Sequence, residues 1–419
     1  MRNAMSDAAR QPLEYPKIRN VEMFPIEYKG RQVVCLRDPT HLAEQTLFVP
    51  PPVLFLLSLF DGQHSVLDIQ TAYTRQFGSV LPGEHLHALI AQLDDCLMLE
   101  SERFVQARQQ IEDTFKRSTV RVAAHAGMVY EVDPDRLRVQ FDGFFTAPDG
   151  PGLTAPAADG PIKGLIAPHI DFYRGGPCYA WAYRELAARL DADLFIILGI
   201  GHAGSRHLFT MTTKDFVTPF GTMRTDREFV AAVQQACPFD VLDDEFLHKH
   251  EHSIEFQVVF LQYLLNGRYS PMIVPILCGS FHEMVIAGTP PAEHPSFQGF
   301  VQALEQAIAS SGKRVCVIAG VDLAHIGIRF GDRDPLTTTF LDWVRSADLR
   351  MLEQVERVDA DAFFQDICDD RDRRRICGYP AIYTLLSVAG AHEGRLIKYD
   401  QAVDTATQQA VTFASMVLR

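Results

Sequence analysis

Three apolar runs in this chain end at a glycine or proline and hand over at once to a titratable side chain. "KGLIAPHID" ends on His169, "LFIILGIGHAG" on His202, and "VCVIAGVDLAHIG" on Asp322 and His325. A fourth run, "SPMIVPILCG", is equally apolar. Continuous rather than alternating apolarity marks strands buried on both faces. Between the runs lie helical stretches such as "PCYAWAYRELAARL", "DREFVAAVQQAC", "EHSIEFQVVFLQYLL" and "HPSFQGFVQALEQAIASSG". Strands alternating with helices predict an α/β fold with a mostly parallel central sheet covered by helices on both faces. Such sheets hold ligands beyond the carboxyl ends of their strands. The histidines therefore fall where an open α/β sheet builds its site.

The first quarter of the chain has a different texture. Residues 1–20 read as a loosely tied tail. "EYKGRQVVCLRDP" reads as a hairpin with Gly30 near its turn. "PPPVLFLLSLFDGQHSVLDIQTAYTRQFG" reads as helix, turn, helix, with Ser65 as N-cap and Val66, Ile69 and Tyr73 on one face. "GEHLHALIAQLDDCLMLES" adds an amphipathic helix and a short strand. Residues 21–105 thus predict a small α+β, winged-helix-like domain. The pattern "LFDGQHSVLDI" and this periodicity resemble the PqqD-like winged-helix family. That resemblance implies peptide binding by strand addition. A bare packing or oligomerisation module fits the same periodicity equally well.

"QARQQIEDTFKRS" is polar and helical, and residues 106–118 are expected to link this domain to a larger one over 119–419. There Asp133 is a predicted N-cap with Pro134 at the first helical position, and Leu137, Phe141, Phe144 and Phe145 share a face. "PDGPGLTAPAADGP" reads as a loop.

Composition narrows the function classes. A net charge of −14 argues against nucleic acid as a partner. The first residues carry no apolar signal core. "FVPPPVLFLLSLF" is too short and too rich in proline to span a bilayer. Eight cysteines are scattered without a C-x-x-C pair, as expected of reduced thiols in a cytoplasmic protein.

Neutral imidazole is the commonest metal ligand, and needs only a partner to fix its tautomer. His169 and His202 are the candidate ligands, and Asp171 is a candidate partner for His169 and a candidate substrate contact. Cys377, in "RRRICGYPAIYTLL", stands at the start of an apolar helix. A thiolate there would be stabilised by the helix N-terminus and by Arg373–Arg375; a buried core cysteine is the alternative. In "LHKHEHSIEFQ", a helical reading puts His248 and His252 on one face. Glu251, His252 and Glu255 are expected to line the cavity.

In order along the chain, "HAGMVYEVDP", "LIAPHIDFYRGG", "ILGIGHAG", "TPFGTMRTD", "EHSIEFQVVFLQ", "VPILCG", "VDLAHIG", "CGYPAIYTLL" and "VTFASMVL" resemble the Memo family, whose prokaryotic members include the AmmeMemoRadiSam system protein B. Memo proteins are similar to the class III extradiol dioxygenases of LigB-like fold, in which non-haem Fe(II) opens catechol rings with O2. The resemblance implies that His169, His202 and Cys377 hold the metal, Cys377 standing where the dioxygenases use a glutamate. It implies that Asp322 and His325 lie beside the metal, His325 as acid–base catalyst. It also implies radical SAM and AMMECR1-like partner proteins. The chain departs from the family at "PHIDFY", where "PHAGY" is usual, and at "AGVD", where two serines often precede the aspartate. Both departures bear on the substrate.

Three functions follow as expectations. The first is an Fe(II) oxidoreductase, dioxygenase-like, acting on a small aromatic or peptide-borne substrate. The second is a zinc hydrolase on the same residues; Cu also suits such a ligand set. The third is a metal- or peptide-binding adaptor without catalysis, as eukaryotic Memo relatives are described.

Overall fold

The computed structural model describes residues 13–40, 42–43, 45–154 and 160–419. The chain forms two compact units that divide between Arg117 and Ser118.

In the first unit, Glu22–Tyr28 and Arg31–Arg37 pair antiparallel, and Leu47–Val49 joins the second of them. Lys29 and Gly30 both have positive φ, 51° and 72°, the geometry of a two-residue type I′ hairpin turn. The Ser65 hydroxyl accepts from the Asp68 amide, and Asp68 reaches back to the Ser65 amide. This capping box starts the helix Val66–Phe77. Ile69, Leu86, Ile90, Leu93 and Leu36 meet in one core.

The expected tail through residue 20 needs correcting. Residues 1–12 lie outside the described residues, but Ile18 N–H donates to the Phe60 carbonyl at 2.8 Å and Arg19 N–H to Met98 at 3.0 Å. The Arg19 guanidinium pairs at 3.1 Å with buried Asp38. A buried arginine costs too much to leave unpaired, so this stretch is held in place. All of the expected linker but Ser118 lies within one helix, Glu102–Arg117. The proline- and glycine-rich loop falls partly on residues 155–159, outside the described residues.

The second unit is built on a large mixed sheet. Its order is His325–Gly327, Gln409–Leu418, Gly164–Ala167, Val315–Gly320, Leu194–Ile200, Met272–Cys278, Phe209–Met211. The four strands from Gly164–Ala167 to Met272–Cys278 are parallel. Both flanks are antiparallel. Gly394–Asp404 also pairs with Gln409–Leu418, whose ten residues are all buried. One face packs on Pro134–Thr146, Phe172–Ala187 and His252–Leu265. The other packs on Pro295–Ser311, Thr338–Glu356, Ala360–Asp369 and Tyr379–Val388. Among the described residues, no helix is long and apolar enough to cross a membrane.

The glycines that end the apolar runs now have a reason. A Cβ at Gly199 would lie 2.5 Å from Ser253 Oγ and 2.6 Å from Ile254 Cγ1. A Cβ at Gly320 would lie 2.6 Å from the Ser253 carbonyl and from Gln257 Nε2. The first turn of His252–Leu265 rests directly on two strand ends, and only hydrogen fits beneath it. Gly199→Ala is therefore expected to lower stability by about 1–3 kcal/mol through overpacking, read as a lower urea midpoint with an unchanged slope.

Candidate functional site

The strand ending at Ala167 turns through Pro168 and delivers His169; the strand ending at Ile200 delivers His202. The helix packed on Gly199 and Gly320 begins at His252. These three imidazoles converge, each offering a ligand atom within 4.8 Å of the others. Their ring centroids are 4.9, 5.1 and 5.0 Å apart.

Two of the rings are hydrogen-bonded through Nδ1, and the third turns its Nδ1 toward the Glu251 carboxylate. His169 Nδ1 donates to the Gly320 carbonyl at 3.0 Å. His202 Nδ1 lies 3.0 Å from Glu251 Oε2, and His252 Nδ1 lies 3.2 Å from Glu251 Oε1. Every Nδ1 faces an oxygen, which leaves the Nε2 lone pair of each ring outside those contacts, that of His169 meeting the Cys377 thiol. That is how protein histidines are prepared for a metal. Glu251 is the N-cap of the His252 helix and also accepts from Ser253 N–H at 2.9 Å.

The electrostatics follow from burial and from Glu251. Burial, then the neighbouring imidazoles, hold His169 well below the usual histidine value. Burial pushes His252 down to about 4, against the pull of Glu251. The packed surroundings act the same way on His202, whose side chain is nonetheless 38% exposed, but Glu251 outweighs them and leaves that pKa raised. For Glu251 itself burial favours the neutral acid, yet His202 and His252 overcome this and hold it well below its usual value. The site thus combines a fixed carboxylate with neutral or readily neutral rings, a donor set that fits a divalent cation.

Cys377 touches this cluster at His169, its Sγ 3.3 Å from Nε2. The expected thiolate is not what the surroundings favour. Burial, then Asp322, push the Cys377 thiol well above its usual value. The three arginines are committed elsewhere. Arg374 pairs with Asp348, Asp366 and Asp370. Arg375 pairs with Asp332, and Arg373 lies over the Trp343 ring. A bound cation is what would draw the proton from this sulfur.

Asp322 does not hold His325. Its Oδ1 accepts from the amides of His169 and Ile170, both at 3.0 Å, and its Oδ2 lies 3.6 Å from His169 Nε2. Burial pushes this carboxyl up to about 7, against those two bonds. His325 Nδ1 instead donates to the Leu323 carbonyl at 3.1 Å, and the ring stands edge-on to Phe330. Burial pushes His325 down to about 4, and its charge would be felt at His202.

Asp171 is neither beside His169 nor free for a substrate. It caps Phe172–Ala187 by accepting from the Arg174 amide, and its Oδ2 takes Arg174 Nε at 2.6 Å. Glu255 does not line the cavity either. It pairs with Arg121 in full burial and accepts from Ala124 and His125 amides at 2.9 and 3.0 Å. His248 and His252 do not share a helix face, because Glu245–Lys249 is a separate 3-10 turn.

Sequence reasoning left His125 unassigned and gave Glu251 only a place in the cavity wall. Glu251 sits in the same "EHSIE" as His252, but its double role needs the turn geometry. His125, in "HAGMVYEVDP", places its Nδ1 3.2 Å from Glu255 and its ring 5.8 Å from His252. A cavity of about 300 Å3 opens on the Cys377 side, bordered by Ile200, Gly201, Asp372, Arg375 and Tyr379.

Fold and site together define an α/β protein with a histidine centre at the carboxyl ends of its parallel strands. The family model described as Memo-like protein matches residues 121–417. The chain belongs to the Memo family. A MEMO1 family protein of Aquifex aeolicus is 26% identical over 406 residues, covering 96% of this chain and 99% of its own length. One of Methanopyrus kandleri is 30% identical over 308 residues, covering 71% of this chain and 99% of its own. One of Thermus thermophilus is 23% identical over 352 residues, covering 84% and 98%.

Glu251→Gln removes the charge that orients two rings, and Zn2+ affinity is expected to fall roughly 10- to 100-fold, measured by chelator competition. A pH effect falls on His248, which donates Nε2 to the Thr210 carbonyl and leaves Nδ1 without a partner. Burial pushes it to about 4. Its unfolded value is about 6.5, so below that pH the unfolded chain takes up a proton that the folded chain refuses. Stability is expected to fall as pH drops from 6.5 toward 4, and His248→Gln should flatten that part of the profile in metal-free protein.

Proposed function

We propose that the protein is a metal-dependent enzyme whose reaction centre is the histidine cluster, with Fe(II) oxidoreductase chemistry of the extradiol-dioxygenase kind as the leading activity. The observation that carries this reading is the convergence of His169, His202 and His252 with their Nδ1 atoms all facing oxygen. His169, His202 and His252 would hold the metal, with Cys377 as a further or alternative ligand through His169's side of the cluster. Fe(II) supplies redox and O2 chemistry when bound, and Zn2+ would supply Lewis-acid activation of water.

The chain's own residues then have defined tasks. Glu251 orients two rings with one carboxylate. Asp322 fixes the backbone that carries His169. His325, with Nδ1–H held by Leu323, keeps Nε2 as its basic atom. At pH 7 it is neutral and ready to take a proton from a phenolic hydroxyl. Small aromatic or peptide-borne substrates, and radical SAM and AMMECR1-like partner proteins, belong to this proposal through the family likeness.

A second reading, a zinc hydrolase, is favoured by one observation. The close group is three imidazoles, while burial keeps Cys377 protonated, and three histidines are a familiar catalytic zinc set. Metal analysis of protein purified without oxygen separates the two. Stoichiometric iron, lost in His169→Ala and His252→Ala, supports the oxidoreductase; zinc in its place supports the hydrolase; no metal in wild type leaves a binding adaptor. His325→Ala is expected to keep the metal and lose turnover of catechols under O2 by roughly 10²–10⁴-fold.

A further inference from the structure

The cavity beside Cys377 has an unusual charge balance. Its walls are largely apolar, with Ile200, Ile376, Tyr379 and Pro380 all buried. Two full charges border it. Arg375 is already neutralised: Nη2 donates to Asp332 Oδ1 at 2.5 Å and Nη1 to the His325 carbonyl at 3.1 Å. Asp372 is not. One of its oxygens accepts from the Ile376 amide at 2.8 Å, and the carboxylate has no cationic partner at bonding distance among the described residues. It is half-buried, and burial pushes it up to about 6.

Its backbone is also unusual. Arg371, Asp372 and Arg375 have φ of 55°, 51° and 52°, a left-handed conformation that costs non-glycine residues energy. The loop carries that strain immediately before Cys377, and it sets a carboxylate against the cavity wall.

We propose that this cavity is the substrate subsite beside the histidine cluster, and that it takes an apolar ring bearing a protonated amine, with the amine on Asp372. The proposal rests on the cluster being the reaction centre. Apolar walls suit the ring, and the unmatched carboxylate suits an ammonium through a charge-assisted bond. The chain's net charge of −14 also draws cations rather than anions to its surface. The start of the Tyr379–Val388 helix borders the same space and favours an anion. Pro380 removes one of its free amides, and a competing carboxylate is therefore the contrary arm of the test.

The probes are 2-phenylethylamine and phenylacetate, titrated calorimetrically into the metal-free full chain. Asp372→Asn is the informative variant, because asparagine tolerates positive φ and keeps the oxygen that Ile376 N–H needs. Wild type is expected to bind the amine, Asp372→Asn to bind it roughly ten- to hundredfold more weakly, and phenylacetate not to compete. Ser280→Trp, at an exposed position on the cavity rim, is expected to block the amine without touching Asp372. Equal amine binding by Asp372→Asn, preference for phenylacetate, or no amine binding by wild type overturns the proposal. Zn2+ titration of the same samples separates the two readings. Amine binding without Zn2+ binding supports the subsite and removes the metal reading of the cluster. Zn2+ binding without amine binding does the reverse.

Discussion

The centre of the second unit depends on one buried ion pair. Arg121 and Glu255 meet with almost no exposure to solvent. The guanidinium also donates to the carbonyls of His248 and Glu251, at 3.0 and 2.8 Å. Glu255 also gathers the amides of Ala124 and His125 and the Tyr130 hydroxyl. Two distant stretches, 121–130 and 248–255, are thereby locked into one piece. Such a pair adds little net stability over a well-packed apolar substitute, but losing one partner typically costs about 3–5 kcal/mol. Its value here is positional. It fixes the turn that carries Glu251 and His252, and Glu251 in turn orients two of the three rings.

Much of this architecture was legible in the sequence. Continuous apolar runs such as "DLFIIL" have a single reading when helices alternate with them, and the strand-end histidines followed from the general geometry of parallel sheets. Ser65 and Asp133 announced their helices by local capping chemistry alone. What could not be read were choices made between distant elements. Asp171 is two residues from His169, yet the partner of that ring is a carbonyl at Gly320. Arg373–Arg375 precede Cys377, yet each finds its partner outside that motif. Glu255 shares a motif with His252, yet it turns away from the cavity toward Arg121. Proximity in sequence was a poor guide to charge pairing, because buried charges are satisfied by whichever partner the fold brings.

The family's span, residues 121–417, begins close to where the packing divides, between Arg117 and Ser118. The Methanopyrus relative is matched over nearly its whole length by 71% of this chain, while the Aquifex relative extends over 96%. The histidine centre lies wholly within residues 121–417, the family's own span. The first unit has its own core, its own capped helix and its own buried Arg19–Asp38 pair. The larger unit therefore carries every ligand of the proposed centre.

The strand Gln409–Leu418 has a consequence in time. It follows every other member of its sheet in chain order, yet it lies between the strand that leads to His169 and the strand that begins with His325. Ser415 on this strand bonds Cys178 across 237 residues. At a ribosomal pace of roughly 5–20 residues per second, that separation is on the order of tens of seconds. Through that interval the nascent chain holds His169 and His202 without the strand that closes the sheet around them. A finished centre, and any tight grip on a cation, therefore waits until residues 409–418 have been made and have joined the sheet.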